Sequence, residues 1–374
     1  MKCKILTIYH RPGQIPSDSI YQPIFVGSAI SRSTSKDGKI PEEELTSFLS
    51  SVLRDDEGPD NLSELNRSIN EMSGIYWAWK NYERLGNPDF IGISHYRRYF
   101  IFDESLPLPV GRTWLPNSSC YLFETLKDAA PYIQGKNINS FFEQGYNIVT
   151  TRQYDARLLD PERKNNVKSC EERFYEIADF DRSLYKKMED LVLLEDPSYK
   201  QEILQLRAKP SHYTFNMFVM DRKHFFNYCE FIFPILTKLA EDNKEFSNHT
   251  LARAPGFLAE FLTSMFISHA MRVSDAKVKE LNTCFIVNTT PAVDSDSNSR
   301  TAKKEISFTK ADIFKLFFKM TVFLFSAGKL GSRSEIELAK ERWRSNEKNE
   351  GASVKILVNK IAAKINKVSN LLKI

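Results

Sequence analysis

An α/β fold of the nucleotide-binding kind is predicted by three stretches near the start of the chain. "CKILTIYH", from Cys3 to His10, is an apolar run closed by polar residues and followed by the turn signal "RPG", the pattern of a buried strand. Between Asp60 and Leu85, the residues Leu65, Ile69, Met72, Tyr76 and Trp79 recur at steps of four, three, four and three, which is one face of a 3.6-residue helix. "FIGISHY" then returns to a strand pattern. The first hundred residues therefore read strand, helix, strand.

The remaining elements follow in order. "YQPIFVGSAI" reads as a second strand or a short helix, and "STSKDGK" as a loop. Ser63 is the expected N-cap of the helix and "NPD" its end; Trp79 belongs to the core stripe while Trp77 points elsewhere. "GYNIVTTRQY" is a further strand whose polar end spans Thr150 to Tyr154. Residues 156–208 are charged and helical in pattern. A strand is expected over 213–220, followed by a long helix. "RAPGFLAEFLTSMFISHAMR" reads as a turn, permitted by Gly256, into an apolar helix with Glu260 in its first turn. "VKELNTCFIVN" gives a final strand. The Ser/Asp/Asn-rich stretch "TTPAVDSDSNSRTAKK" is a linker to a basic helical tail. The expected organisation is a domain over 1–290, a linker over 291–304 and a tail over 305–374.

Composition narrows the partners. The 374 residues are 42% hydrophobic and 27% charged, ordinary for a globular protein, and the net charge is only +4. The charge is uneven: residues 301–374 hold 16 Lys/Arg against 7 Asp/Glu. The basic character belongs to the tail, so nucleic acid is not expected as a partner. The five cysteines are scattered without a CxxC pair, which fits reduced thiols in the cytoplasm better than zinc ligation. No run reaches the roughly 18–20 apolar residues of a membrane span, and "MKCKILTIYHRP" is too short in its apolar part for a signal peptide.

Chemistry concentrates where strands end. "DFIGISHYRRYF" begins as a buried strand and closes on His95, Tyr96, Arg97 and Arg98. A ligand at the carboxyl edge of a sheet would meet them. Neither GxGxxG nor GxxxxGK[ST] occurs, so an anion needs another cradle. Guanidinium groups bind phosphate through paired N–H donors and stay charged. In a strand, Arg97 and Arg98 face opposite ways, so one of them meets a given ligand; pairing with Asp89, Asp103 or Glu104 is the structural alternative. Tyr9 and His10 end the first strand, where the base of a nucleotide would lie. Asp60 and Asn61, with Asn66, surround a helix start, either as donor contacts or as caps. His212 and Asn216 flank "HYTFNM" and are placed to touch a donor or acceptor sugar, a lone histidine being otherwise a structural residue.

"DNLSELN…GIYWAWKN" followed by "DFIGISHYRRYF", together with "NMFVMDRKHFFNYCEFIFPIL" and "GFLAEFL", resembles a bacterial family known as a domain of unknown function. That family occurs in capsule, exopolysaccharide and O-antigen synthesis and is treated as glycosyltransferases. The likeness covers roughly residues 2–290. It implies a GT-A-like nucleotide-sugar-binding domain with a mixed central sheet. The implied activity is transfer of a sugar, galactose or galactofuranose being favoured, from a UDP-sugar to a polyprenyl-diphosphate-linked glycan. The family pattern has Arg after the glutamate of "GFLAEFL"; here Phe261 stands there, and a contact by that Arg is not expected.

GT-A enzymes usually hold a divalent metal through D-x-D at a strand end. The two D-x-D triplets, Asp179–Asp181 and Asp294–Asp296, follow no buried strand. No cofactor is therefore expected, with manganese as the alternative, and the cations from His95 to Arg98 take the metal's place. "APGFLAEF" resembles the acid-bearing helix start of inverting members, making Glu260 the expected base, unless it merely favours its helix end. A retaining metal-dependent enzyme and a non-catalytic carbohydrate-binding scaffold are the rival readings. In the tail, Val354, Val358, Ile361, Ile365, Val368 and Leu372 form one stripe, with Lys355, Lys360, Lys364 and Lys367 mostly off it. A basic amphipathic helix of this kind binds the inner membrane surface or packs on the domain. The expected location is cytoplasmic, peripheral on the inner face of the plasma membrane.

Overall fold

The structure is a computed structural model and describes residues 1–33, 40–109, 119–155, 169–178, 180–243 and 251–289. The linker and tail lie outside the described residues, as do Asp179, Asp294 and Asp296. In chain order the strands are β1 (Cys3–Tyr9), β2 (Tyr21–Phe25), β3 (Leu53–Arg54), β4 (Phe90–His95), β5 (Arg98–Phe100) and β6 (Cys120–Phe123). They continue with β7 (Ile148–Thr151), β8 (Tyr154–Asp155), β9 (Ser211–His212), β10 (Phe218–Asp221), β11 (Val278–Leu281) and β12 (Thr283–Ile286). The helices are α1 (Glu42–Leu49), α2 (Asn66–Ile69), α3 (Met72–Lys80), α4 (Leu126–Ala129) and α5 (Asn139–Glu143). After them come α6 (Cys170–Ala178), α7 (Arg182–Glu195), α8 (Lys200–Ala208), α9 (Arg222–Asp242) and α10 (Ala254–Val273).

A mixed sheet runs β11-β7-β10-β4-β1-β2-β3, with β5, β6 and β12 attached through β4. β1 to β4 are mutually parallel, from Ile5↔Tyr21 on one side to Cys3↔Phe90 on the other. β10 runs antiparallel to β4 and β7, so β7 ends at the same edge as the parallel block. The expected mixed α/β architecture is present. β1 is buried on both faces, which explains its unbroken apolar run. Leu6 and Ile8 join Ile91 and Ile93 under α3, α9 and α10, while Ile5 joins Val149, Val219 and the rings of Phe141 and Phe142 on the other side. α10 is enclosed by the fold: thirteen of its 20 residues are buried, as an all-round apolar helix requires.

Three expectations need correction. The helix expected over Asp60 to Leu85 is broken. Asn70 takes φ 53° and ψ −132°, splitting α2 from α3. Its predicted cap, Ser63, instead donates to the buried Asp55 carboxylate at 2.6 Å. The face was read correctly for Ile69 and Met72, but it is Trp77 that is fully buried, its Nε1–H donating to the Glu57 carbonyl. Second, residues 213–217 do not form a strand: Phe215 and Asn216 have φ of 72° and 50°. Third, Gly256 is inside α10, not in a turn, and Glu260 lies in the second helical turn. Pro255 at the start of the helix marks the true boundary.

Candidate active site

The carboxyl ends of β1, β2, β4 and β7 open onto a cavity of ≈ 730 Å³, the edge at which open α/β sheets bind ligands. Its walls carry seven arginines (Arg11, Arg67, Arg97, Arg98, Arg152, Arg173 and Arg253) against two carboxylates, Glu71 and Glu260. Such a surplus of fixed positive charge in a concave site attracts and concentrates anions.

The run from His95 to Arg98 turns back on itself. β4 passes to the antiparallel β5 with His95 opposite Arg98. The hairpin places all four residues on the cavity, Arg97 and Arg98 included. The expectation that one arginine must face away is therefore overturned, because Tyr96 and Arg97 are the turn and not strand. Each guanidinium is seated on rings. Arg97 lies 4.9 Å from the centroid of Tyr96, and Arg98 lies 4.5 Å from Phe215 and 5.1 Å from Phe285. Aromatic seats fix the planar groups without using their N–H donors. The Nε of Arg97 has no hydrogen-bond partner among the described residues. Burial draws the pKa of Arg98 downward, with Glu260 and Glu71 among the groups opposing it. His10 meets the Tyr96 ring edge-on at 5.2 Å.

His95 anchors the opposite wall. Its Nε2–H donates to the Phe215 carbonyl at 2.7 Å, and burial lowers its pKa, which favours the neutral ring. The next residue, Asn216, is buried. Its Nδ2 donates to Glu71 Oε1 at 2.6 Å and to the Gly256 carbonyl at 3.3 Å. Glu71 follows the helix break at Asn70, which is itself held on three sides. Asn66 Nδ2 donates to its carbonyl at 2.7 Å, and Arg253 Nε donates to its Oδ1 at 2.9 Å. At Gly256 an added Cβ would lie 2.0 Å from Asn70 Nδ2. Unusual backbone such as that of Asn70 and Phe215 costs on the order of 1–3 kcal/mol per residue. A single neutral hydrogen bond returns about 1 kcal/mol, so only the whole set of bonds holds these two turns in place.

Glu260 faces the cavity from α10. Its Oε2 lies 3.5 Å from His212 Nε2. The His212 ring packs at 4.4 Å on Phe261. His212 Nδ1 is buried and has no partner among the described residues.

Of the expected site residues, His10, His95, Tyr96, Arg97, Arg98, His212 and Glu260 line this cavity. Asn216 stands behind the wall, holding Glu71. Three lie elsewhere. Tyr9 is fully buried and donates to the Gln14 carbonyl at 2.6 Å, its ring at 5.2 Å from Phe48. Asp60 accepts from Tyr76 Oη at 2.5 Å and pairs with Lys80 at 3.3 Å. Asn61 is used within its own loop, donating to the Gly58 carbonyl and accepting from the Ser63 N–H. The sequence reading missed Glu71 and five of the seven cavity arginines, Arg11, Arg67, Arg152, Arg173 and Arg253. Glu71 falls between two residues of the unbroken apolar stripe, Ile69 and Met72, so periodicity gave no signal for it.

Asp181 caps α7 at the surface, accepting from the Ser183 N–H. Among the described residues no three His, Cys, Asp or Glu side chains converge as a metal-ligand set. The cavity's carboxylates are engaged by Asn216 and His212. Among the described residues the cavity lining offers a divalent ion two carboxylates, Glu71 and Glu260.

The family described as Domain of unknown function (DUF4422) matches residues 4–271. The structure described as WbbM bifunctional glycosyltransferase, in its apo form, is similar with a TM-score of 0.63 and 25% identity over 79% of this chain. This chain spans about half, 48%, of that one. The mannosyltransferase Ktr4p from S. cerevisiae is matched at 11% identity over 66% of this chain and 57% of its own, with a TM-score of 0.22, too low to bear on the fold. No curated protein sequence matches.

Proposed function

The chain belongs to the family described as Domain of unknown function (DUF4422), and from that premise we propose that it is a glycosyltransferase using a nucleotide sugar, with uridine as the expected base. The observation that carries this reading is the cavity itself: seven arginines and two glutamates at the carboxyl edge of a mixed sheet. The cations receive the diphosphate. In an inverting displacement the acceptor hydroxyl passes its proton to Glu260, and its oxygen bonds to the anomeric carbon. The bond from that carbon to the diphosphate breaks, and the electron pair leaves on the diphosphate oxygen. Arg97 and Arg98 neutralise that charge as it develops. His212 keeps Glu260 oriented. The acceptor we propose is a polyprenyl-diphosphate-linked glycan at the inner face of the plasma membrane, in capsule, exopolysaccharide or O-antigen synthesis.

Calorimetric titration with UDP and UDP-galactose, with EDTA and then with manganese, tests the reading. Binding is expected in EDTA. Arg97→Ala and Arg98→Ala each remove charged hydrogen bonds of about 1.5–3 kcal/mol, a loss of roughly tenfold or more in affinity. Glu260→Gln is expected to keep binding and lower transfer by about 10²-fold or more. Unchanged UDP affinity in both arginine variants, or binding that requires manganese, would overturn the assignment.

A further inference from the structure

Glu71 has no part in the displacement just described, yet the fold invests heavily in placing it. Two turns with unusual backbone converge on this one side chain. On one side Asn70, at φ 53°, breaks the helix immediately before it. On the other, Phe215 and Asn216, at φ 72° and 50°, deliver the carboxamide that binds Glu71 Oε1 at 2.6 Å. Non-glycine residues held at positive φ persist where the surroundings impose them, and they gather at functional sites. Neither turn serves Glu71 by accident of packing: Gly256 has no side chain where a Cβ would strike Asn70, and His95 fixes the Phe215 carbonyl.

The chemistry of the group narrows what it meets. A carboxylate only accepts hydrogen bonds, so it repels the diphosphate and faces a donor. Asn216 uses Oε1, and among the described residues Oε2 accepts no hydrogen bond. The wall also fixes the neighbourhood. Asn216 adjoins Phe215, whose ring seats Arg98 at 4.5 Å. Glu71 is thus two contacts away from a guanidinium assigned to the diphosphate. Two uncharged, donor-bearing groups flank the diphosphate of a nucleotide sugar, the ribose and the glycosyl ring. Asn216, which holds Glu71, also binds the Gly256 carbonyl one helical turn before Glu260, so Glu71 stands on the side of the proposed base, where the glycosyl ring lies.

Resting on the nucleotide-sugar reading above, we infer that Glu71 binds hydroxyl groups of the transferred sugar and sets which sugar the enzyme accepts. Asn216 is its positioning residue.

The inference predicts a split between two ligands that share a nucleotide. UDP and UDP-galactose are titrated into the wild type and Glu71→Gln. The glutamine keeps the size of the side chain and can still accept from Asn216, but presents an N–H in place of the second carboxylate oxygen. The UDP affinity is expected to stay within about twofold. The affinity ratio of UDP-galactose to UDP is expected to fall at least tenfold, the scale of a hydrogen bond to a charged group. Glu71→Asp, which retains the charge one methylene short, reads the same ratio should Glu71→Gln fail to fold. Asn216→Ser should lower the ratio in the same direction. An unchanged ratio with intact UDP binding overturns the inference and leaves the donor reading standing. So does a variant that binds UDP-galactose normally and loses only turnover, since Glu71 would then be acting on the reaction and not on the sugar. A parallel loss of UDP affinity also overturns it, by assigning Glu71 to the nucleotide. A wild type that binds neither ligand defeats the donor reading itself.

Discussion

The surroundings of His95 disfavour its protonated form. Burial is the largest cause of its lowered pKa, and Arg98 adds to it, while Glu71 and Glu260 pull the other way. In the unfolded chain a histidine titrates near pH 6.5. Below that, the unfolded state takes up a proton that the folded state refuses, so stability is complete above about pH 6.5 and is lost as the pH falls toward the folded value. The lowered carboxylates Glu57, Asp60 and Asp221 act in the same direction, but in a more acidic window. The buried Asp55, whose pKa is raised by its burial, acts in the opposite sense. These groups are common to any His95 variant. His95→Gln retains an N–H for the Phe215 carbonyl and removes the titration. Its melting temperature is expected to drop less than that of the wild type between pH 7.5 and pH 5.5. Equal drops would show that His95 titrates no differently in the fold than outside it. The sequence already displayed the crowding of His95, Tyr96, Arg97 and Arg98. It did not display the turn at Tyr96–Arg97, because no glycine, asparagine or proline marks that hairpin.

At the scale of elements, a helix was legible and its break was not. The apolar stripe through Ile69 and Met72 continues across Asn70 with helical spacing, since both halves must cover the same core. Periodicity reports which face is buried and is blind to a local change of backbone direction. The break is imposed from a distance, by Arg253 and by the bare surface of Gly256. These residues lie some 180 positions further along the chain. The same long-range dependence hid Glu71 and Arg253 from a reading that worked segment by segment, and the two turns at Phe215 and Asn216 with them. Gly256→Ala probes this arrangement. Alanine is a better helix former than glycine by about 1 kcal/mol, so local propensity favours the change. The added Cβ at 2.0 Å from Asn70 Nδ2 forces displacement, and overpacking costs about 1–3 kcal/mol. The expected result in denaturant unfolding is net destabilisation. The shift of Asn70 should also weaken UDP-galactose binding more than UDP binding. A Gly256→Ala protein more stable than wild type, with unchanged ligand preference, would mean that Asn70 yields freely and that the break is not clamped.

At the scale of the molecule, the question is what the basic tail adds. The buried clusters given by the described residues are assembled between Ile5 and Ile286, and residues Met1–Asp294 form one compact unit. No helix among the described residues is long and apolar enough to cross a membrane. An acceptor carried on a lipid would nevertheless keep the enzyme's work at a surface. The sequence from 351 to 374 alternates an apolar stripe with Lys355, Lys360, Lys364, Lys367 and Lys373. Each lysine is worth roughly 1 kcal/mol near anionic lipid, and salt weakens the attraction over a screening length of about 8–10 Å at 0.10–0.15 M. A chain ending at residue 294 is therefore expected to melt within a few degrees of the full chain and to bind UDP-galactose with the same affinity. It should no longer sediment with vesicles containing phosphatidylserine, whereas the full chain should sediment at low salt and be released by high salt. Equal sedimentation of both chains would place membrane binding in the first 294 residues. A large fall in melting temperature on truncation would instead make the tail part of the folded core, and its apolar stripe would then be read as packing surface.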